Sequence, residues 1–190
     1  MRNIRLVIAF SFMSCSFFGQ QNPDVIIKNE ITKLELSNSS FVIMKEYCVG
    51  YERIYSDMTN CNFEEYPFEI FIIWKENNKT KWTKYDNCSV YNSEISPETE
   101  NLWAFINKNS ERIKLEKILP YTLKNNSIVS TDHSCRYEFI IQTNNGRIKK
   151  AFDSFDLTNE KEEENINFES NNSLAIVKLK MLIKRLYKVI

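Results

Sequence analysis

The chain has 190 residues, with 25 basic and 25 acidic side chains, one histidine, three glycines and five cysteines. That balance gives no electrostatic case for nucleic acid, which is recognised first through a surplus of Lys and Arg. Gly19, Gly50 and Gly146 are too few for a P-loop or a dinucleotide-binding turn, and His133 alone is too few for a zincin-type metal site, so no cofactor is expected.

Residues 1–20 read as a signal sequence. Arg2 and Arg5 supply a positive end, and the uncharged run from Leu6 to Phe18 supplies an apolar stretch of thirteen residues. A membrane span needs roughly 20 such residues, so removal is expected over anchoring. Gly19 followed by Gln20 and Gln21 suits a soluble-secretion cut. Met13-Ser14-Cys15 is a degenerate lipobox, in which Cys15 would become a lipidated N-terminus, although Phe17 and Phe18 are unlike the polar residues that usually follow such a cysteine. Residues 21–190 are then one exported domain, periplasmic or extracellular, with lipid anchoring as the alternative. The mature chain keeps 23 basic against 25 acidic residues, and is long enough to bury a sizeable core.

Four cysteines remain after the leader: Cys48, Cys61, Cys88 and Cys135. In an oxidising compartment an even set reads as two disulfides with three connectivities open. Loop length favours Cys48 with Cys61, leaving Cys88 with Cys135. Zinc is the weaker reading, since no two lie at CxxC spacing.

In chain order, Lys33-Leu34-Glu35 reads as part of a strand, and Phe41 to Tyr55 as another that Gly50 interrupts with a bulge. A hairpin follows: Phe68 to Lys75, a turn over Glu76-Asn77-Asn78-Lys79, and Thr80 to Asp86. Ile70, Ile72 and Trp74 share one face of its first strand and Phe71 and Ile73 the other, which predicts burial on both sides and a mid-sheet position. A helix opens at Ser96 and Pro97, with Glu98 and Glu100 near its positive end and Leu102, Phe105 and Ile106 on its buried face. Lys114-Leu115-Glu116 reads as strand and Lys124 to Ser134 as loop.

Tyr137, Phe139 and Ile141 alternate with polar residues before Asn145-Gly146, and Ile148, Ala151 and Phe152 follow. This is a β-hairpin signal. A two-residue Asn-Gly turn would set Phe139 opposite Phe152 and Thr143 opposite Ile148. Asn159 to Asn172 is polar and acidic and reads as a flexible loop. The last helix is predicted to bury Leu174, Val177, Met181, Leu182, Leu186 and Val189, with Asn172 as cap and Lys178, Lys184, Arg185 and Lys188 around that face.

These elements predict an α+β fold, an antiparallel sheet of about five to seven strands with two helices on one face. Each hairpin precedes a helix. With the matching Lys-Leu-Glu segments upstream, this suggests two related β, loop, β-hairpin, α units over about 25–109 and 110–190.

Few residues point to chemistry. Asp86 and Asp153 fall at matching places in the two units and would make a carboxylate pair for acid hydrolysis if they faced one cleft. The more ordinary role of an acid at a strand end is to start a turn. His133 lies in Thr131-Asp132-His133-Ser134-Cys135, where adjacent side chains diverge, so the expected reading is an exposed loop histidine. Trp82 and Tyr85 differ in parity along one strand, so one is predicted to face outward and offer a binding surface within the cluster of Trp74, Tyr91 and Trp103. The basic last helix could meet a membrane or partner, its ordinary role being core packing. The function expected is an exported non-catalytic binding or structural module, with a protein or envelope component as partner. A small hydrolase using the paired carboxylates or His133 is the alternative.

Overall fold

A computed structural model describes residues 22–50, 66–77, 79–94, 98–160 and 163–186. The leader with Cys15, and also Cys61, Asn78, Ser96, Pro97, Lys188 and Val189, lie outside the described residues.

The first element is a helix where a strand was expected. α1 runs Pro23–Leu36 and is opened by Asn22, whose side-chain oxygen accepts a hydrogen bond from the Asp24 N–H at 2.8 Å. Pro23 and Asp24 then suit the first turn. Its isoleucines favour extended backbone, but that preference amounts to only a few tenths of a kcal/mol per residue. Ile26, Ile27, Ile31 and Leu34 recur at helical spacing, and their burial against the sheet outweighs it. Lys33 to Glu35 therefore lie in its last turn.

β1 runs Phe41–Val49 and Gly50 follows it with φ of +75°, while 51–55, the rest of the expected strand, lie outside the described residues. β2 (Phe68–Glu76) and β3 (Lys79–Asp86) form the first hairpin, and Asn77, at φ +51°, supplies its turn. β4 (Val90–Glu94), which the sequence reading did not include, adds an edge strand. α2 (Glu98–Leu115) follows, and Lys114 and Leu115 belong to its last turn rather than to a strand. β5 (Ser134–Thr143) and β6 (Gly146–Asp153) form the second hairpin, followed by a 3-10 turn at Phe155–Leu157, α3 (Phe168–Ser173) and α4 (Ala175–Leu186).

All six strands are antiparallel, in the order β4-β3-β2-β1-β5-β6. β2 is interior and buried on both faces, as its doubled apolar pattern requires. Phe71 and Ile73 join Val42, Met44, Phe139 and Ile141 beneath α2 and α4. Phe68, Ile70 and Ile72 join Phe41 and Ile43 on the opposite face, beneath α1. The α+β architecture has α2 and α4 on one face as expected, with α1 added on the other.

The second hairpin has its predicted strands but a different register. Thr143 pairs with Gly146, Ile141 with Ile148 and Tyr137 with Phe152, so the loop is Asn144-Asn145 and the positive φ, +111°, falls on Gly146. The pairing moves by two residues, which keeps each side chain on its face. Phe139 still stacks diagonally on Phe152 at 5.9 Å between centroids.

The described cysteines are disulfide-bonded as expected, but the expected pairing is overturned. Cys48 is bonded to Cys135, with 3.9 Å between Cα atoms, because β1 pairs directly with β5 and sets the two residues opposite each other. Strand pairing, not loop length, selected the partners. Cys88 is disulfide-bonded too. Of the expected repeat, only the hairpin-then-helix order recurs, since the upstream Lys-Leu-Glu segments lie in or just after helices.

The polar stretch before α4 is organised rather than loose. Asn171 is fully buried, its Oδ1 accepting from Leu119 N–H and its Nδ2 donating to the carbonyls of Leu119 and Asp156. Asn165 donates to the carbonyls of Asp156 and Thr158. Asn172 lies inside α3 and caps nothing there: it donates to the Leu157 and Phe168 carbonyls. The buried stripe of α4 is Ala175, Ile176, Val177, Leu179 and Ile183, which turns the expected Met181 outward.

Candidate functional site

The sequence-derived candidates are not brought together. Asp86 ends β3 and Asp153 ends β6, with β2, β1 and β5 between them, about 19 Å at the usual strand spacing. The register also puts them on opposite faces, because Asp86 aligns through Glu69, Glu46 and Tyr137 with Phe152, the neighbour of Asp153. Each aspartate organises a turn. Asp86 Oδ1 accepts from the Cys88 and Ser89 N–H groups, and Asp153 accepts from Phe155 N–H and the Ser134 hydroxyl.

His133 is exposed, with Nδ1 2.7 Å from Asp132 Oδ1. Neither neighbouring nucleophile is available to it, since the Ser134 hydroxyl is committed to Asp153 and Cys135 is in the disulfide. Trp82 and Tyr85 do point to opposite faces, but helices cover both. Trp82 is buried under α2 and α4, and the Tyr85 hydroxyl donates to Glu30 Oε1 of α1 at 3.1 Å. Burial, then the Glu30 carboxylate, pushes the Tyr85 pKa up. Among the described residues no helix is long and apolar enough to cross a membrane, and the apolar face of α4 is spent on the core.

Two arrangements that sequence reasoning missed stand out. The first is a charged row across the α4 side of the sheet. Asp86, Glu69 and Glu46 occupy directly paired positions on β3, β2 and β1, and Tyr137 continues the row on β5. Lys184 donates to one oxygen of Glu46 and, at 2.7 Å, to Glu69 Oε2. Lys84 lies 2.8 Å from Glu69 Oε1 and 3.7 Å from Asp86. Burial pushes the Glu69 carboxyl up, but Lys184 and Lys84 outweigh it and hold the pKa at about 2. The Tyr137 hydroxyl donates to Glu46 Oε1 at 3.1 Å. Glu46, Cys48 and Cys135 also lie within 4.8 Å of one another, but the sulfurs are bonded together and the carboxylate is already paired, which leaves no donor set for a metal.

The second is a groove of 340 Å³ beside α1. One helix cannot cover six strands, and α1 packs chiefly on β2, leaving a groove at its flank that Glu138 and Ile140 of β5 help to line. Ile27, Ile31, Ile43 and Ile140 form the apolar floor, with Asp24, Lys28, Lys45 and Glu138 among the charged lining. Lys45 is paired with Asp24 at 2.7 Å and also lies 4.9 Å from the Tyr47 ring centroid, so part of that rim is fixed. No known family, no curated protein and no solved structure matches the chain.

Proposed function

We infer that the protein is an exported, disulfide-stapled module that works by binding rather than turnover, and that its partner is a protein whose segment lies in the groove beside α1. The observation that carries this reading is the groove itself, an apolar floor edged by charges of both signs. An apolar centre with a polar rim is the usual anatomy of a protein contact, and the volume suits one or two anchoring side chains. The leader and the cysteine pairing support export, with soluble release at Gln20 or Gln21 and lipid anchoring at Cys15 as its two routes. Intact mass of the native protein, with and without reductant, separates those routes.

The binding reading is tested by placing a photo-crosslinking amino acid at Thr32 or Ile140, both on the groove, and at Lys108 on exposed α2 as a control. A discrete protein adduct is expected in the native envelope from the two groove positions, lost when Ile27→Asp is added. Equal adducts at Lys108, or none at the groove, overturn the proposal.

A further inference from the structure

We propose that the pocket where α2 meets the ends of β2 and β5 binds a small sugar acid, a molecule with one carboxylate and several hydroxyls. The site follows from how the core ends. Phe71 and Ile73 on β2, Met44 and Val42 on β1, and Phe139 and Ile141 on β5 are apolar columns beneath α2 and α4. Alternation carries each column one step further, to Lys75, to Ser40 just before β1, and to Thr143, so neighbouring strands turn polar in one row. The Lys75 N–H donates to the Ser40 carbonyl at 3.0 Å, which keeps the row in register. Trp103 and Asn107, one turn apart on α2, and Asn144 and Asn145 of the β5–β6 loop complete a pocket of 340 Å³.

Among the described residues, the Lys75 ammonium, the Ser40 hydroxyl and the side-chain amides of Asn107, Asn144 and Asn145 have no hydrogen-bond or ion-pair partner in the protein, and no acid lines the pocket. The charges next to it in sequence are already matched, Glu76 by Lys81 and Arg147 by Glu35. Lys75 is left as the one charge of the lining. Its ammonium lies 5.6 Å from the centroid of the Trp103 ring, which is buried and donates from Nε1 to the Thr80 hydroxyl at 3.2 Å. The cation therefore rests against a fixed wall, while its N–H donors remain available to a ligand.

The ligand class follows from these donors and acceptors. One ammonium matches one carboxylate. Amides and hydroxyls both donate and accept, as sugar hydroxyls do, whereas a bare oxyanion only accepts and would be served by donors alone. The volume is near the lower end of small-molecule pockets, about 300 Å³, which suits a single sugar ring. The pocket lies on the α2 face of the sheet, opposite the α1 groove, so it stands or falls separately from the partner proposed above.

The test titrates the nitrogen-15-labelled mature protein with glucuronate, with glucose, which has a hydroxymethyl group in place of the carboxylate, and with acetate, reading amide NMR shifts. Glucuronate is expected to shift the Asn144, Asn145 and Gly146 backbone signals and the Asn107 side-chain amide saturably, glucose the same signals more weakly, and acetate least. Lys75→Met keeps the stem against Trp103 and is expected to weaken glucuronate by about fivefold, as for a part-exposed charge pair, without changing glucose. Asn144→Asp, in an exposed loop that tolerates the change, sets an acid in the lining and also weakens glucuronate alone. Lys149→Met, exposed on the other face of the sheet, changes neither. No saturable shift at these signals, acetate binding as well as glucuronate, or glucuronate affinity unmoved by both Lys75→Met and Asn144→Asp overturns the proposal.

Discussion

Glu46 and Glu69 stand directly opposite each other on β1 and β2, two carboxylates on one face, with the Lys184 ammonium bridging them from α4. Like charges opposite each other weaken strand pairing, so one side chain both docks the helix and permits the ladder. Lys184→Met keeps the apolar stem and removes the charge. Removing one partner of a fully buried pair costs about 3–5 kcal/mol. Lys184 is 29% exposed, so solvent screening reduces the expected loss to about 2 kcal/mol. Adding Glu46→Gln and Glu69→Gln removes the uncompensated charges and regains most of it. Urea unfolding of the three proteins measures both effects, and a Lys184→Met variant as stable as the parent would show that the bridge contributes nothing.

Glu69 predicts a pH dependence. Its folded pKa of about 2 lies below the ordinary 4.5, so it adds stability that is fully present above pH 4.5 and is lost as pH falls from about 4.5 to about 2. The urea midpoint of the parent is expected to drop across that window, and Glu69→Gln to flatten the drop. Parallel profiles for the two proteins would remove Glu69 as its source.

The cysteines make a sharper test of the fold than of the function. Cys48 and Cys135 are 87 residues apart, and a bridge over a loop of that size stabilises by about 2–5 kcal/mol. Cys48→Ser with Cys135→Ser is expected to lower the melting temperature by at least several degrees. Cys88 is disulfide-bonded as well. Non-reducing peptide maps are expected to contain Cys48–Cys135 and a separate bridge at Cys88, and recovery of a Cys48–Cys61 peptide would contradict the β1–β5 register.

What was legible in the sequence followed from local patterns. The doubled apolar alternation of Phe68 to Trp74 carries a mid-sheet strand in itself, because both faces must be buried wherever the strand goes. The second hairpin was legible for the same reason, although its loop was set by which residue takes positive φ, and that is Gly146 alone. α1 carries the same kind of start signal as α2, Asn22-Pro23-Asp24 in place of Ser96-Pro97-Glu98, but Lys33-Leu34-Glu35 reads as strand through its match to Lys114-Leu115-Glu116. The buried asparagines and the charged row were hidden by a deeper limit. Asn171 is polar by composition, yet it satisfies the backbone of a segment some fifty positions earlier, and Glu46 reads as an exposed strand residue until β2 and α4 are placed beside it. Partners of that kind are fixed by topology and leave no spacing to read.

Gly50 and His133 give a last relationship that can be measured directly. A Cβ built on Gly50 would lie 2.2 Å from Cδ2 and 2.8 Å from Cγ of the His133 ring, and the backbone there has φ of +75°. Two separate costs therefore fall on Gly50→Ala, the left-handed backbone, at roughly 1–2 kcal/mol, and displacement of the ring. His133→Ala alone is expected to be close to neutral, because the side chain is exposed. In the double variant the ring is gone and only the backbone cost remains, so it should be more stable than Gly50→Ala by itself. Stability measured for the parent, both single variants and the double closes this cycle. If the double variant is no more stable than Gly50→Ala, ring contact plays no part, and His133 is a bystander to the positive-φ position at the end of β1.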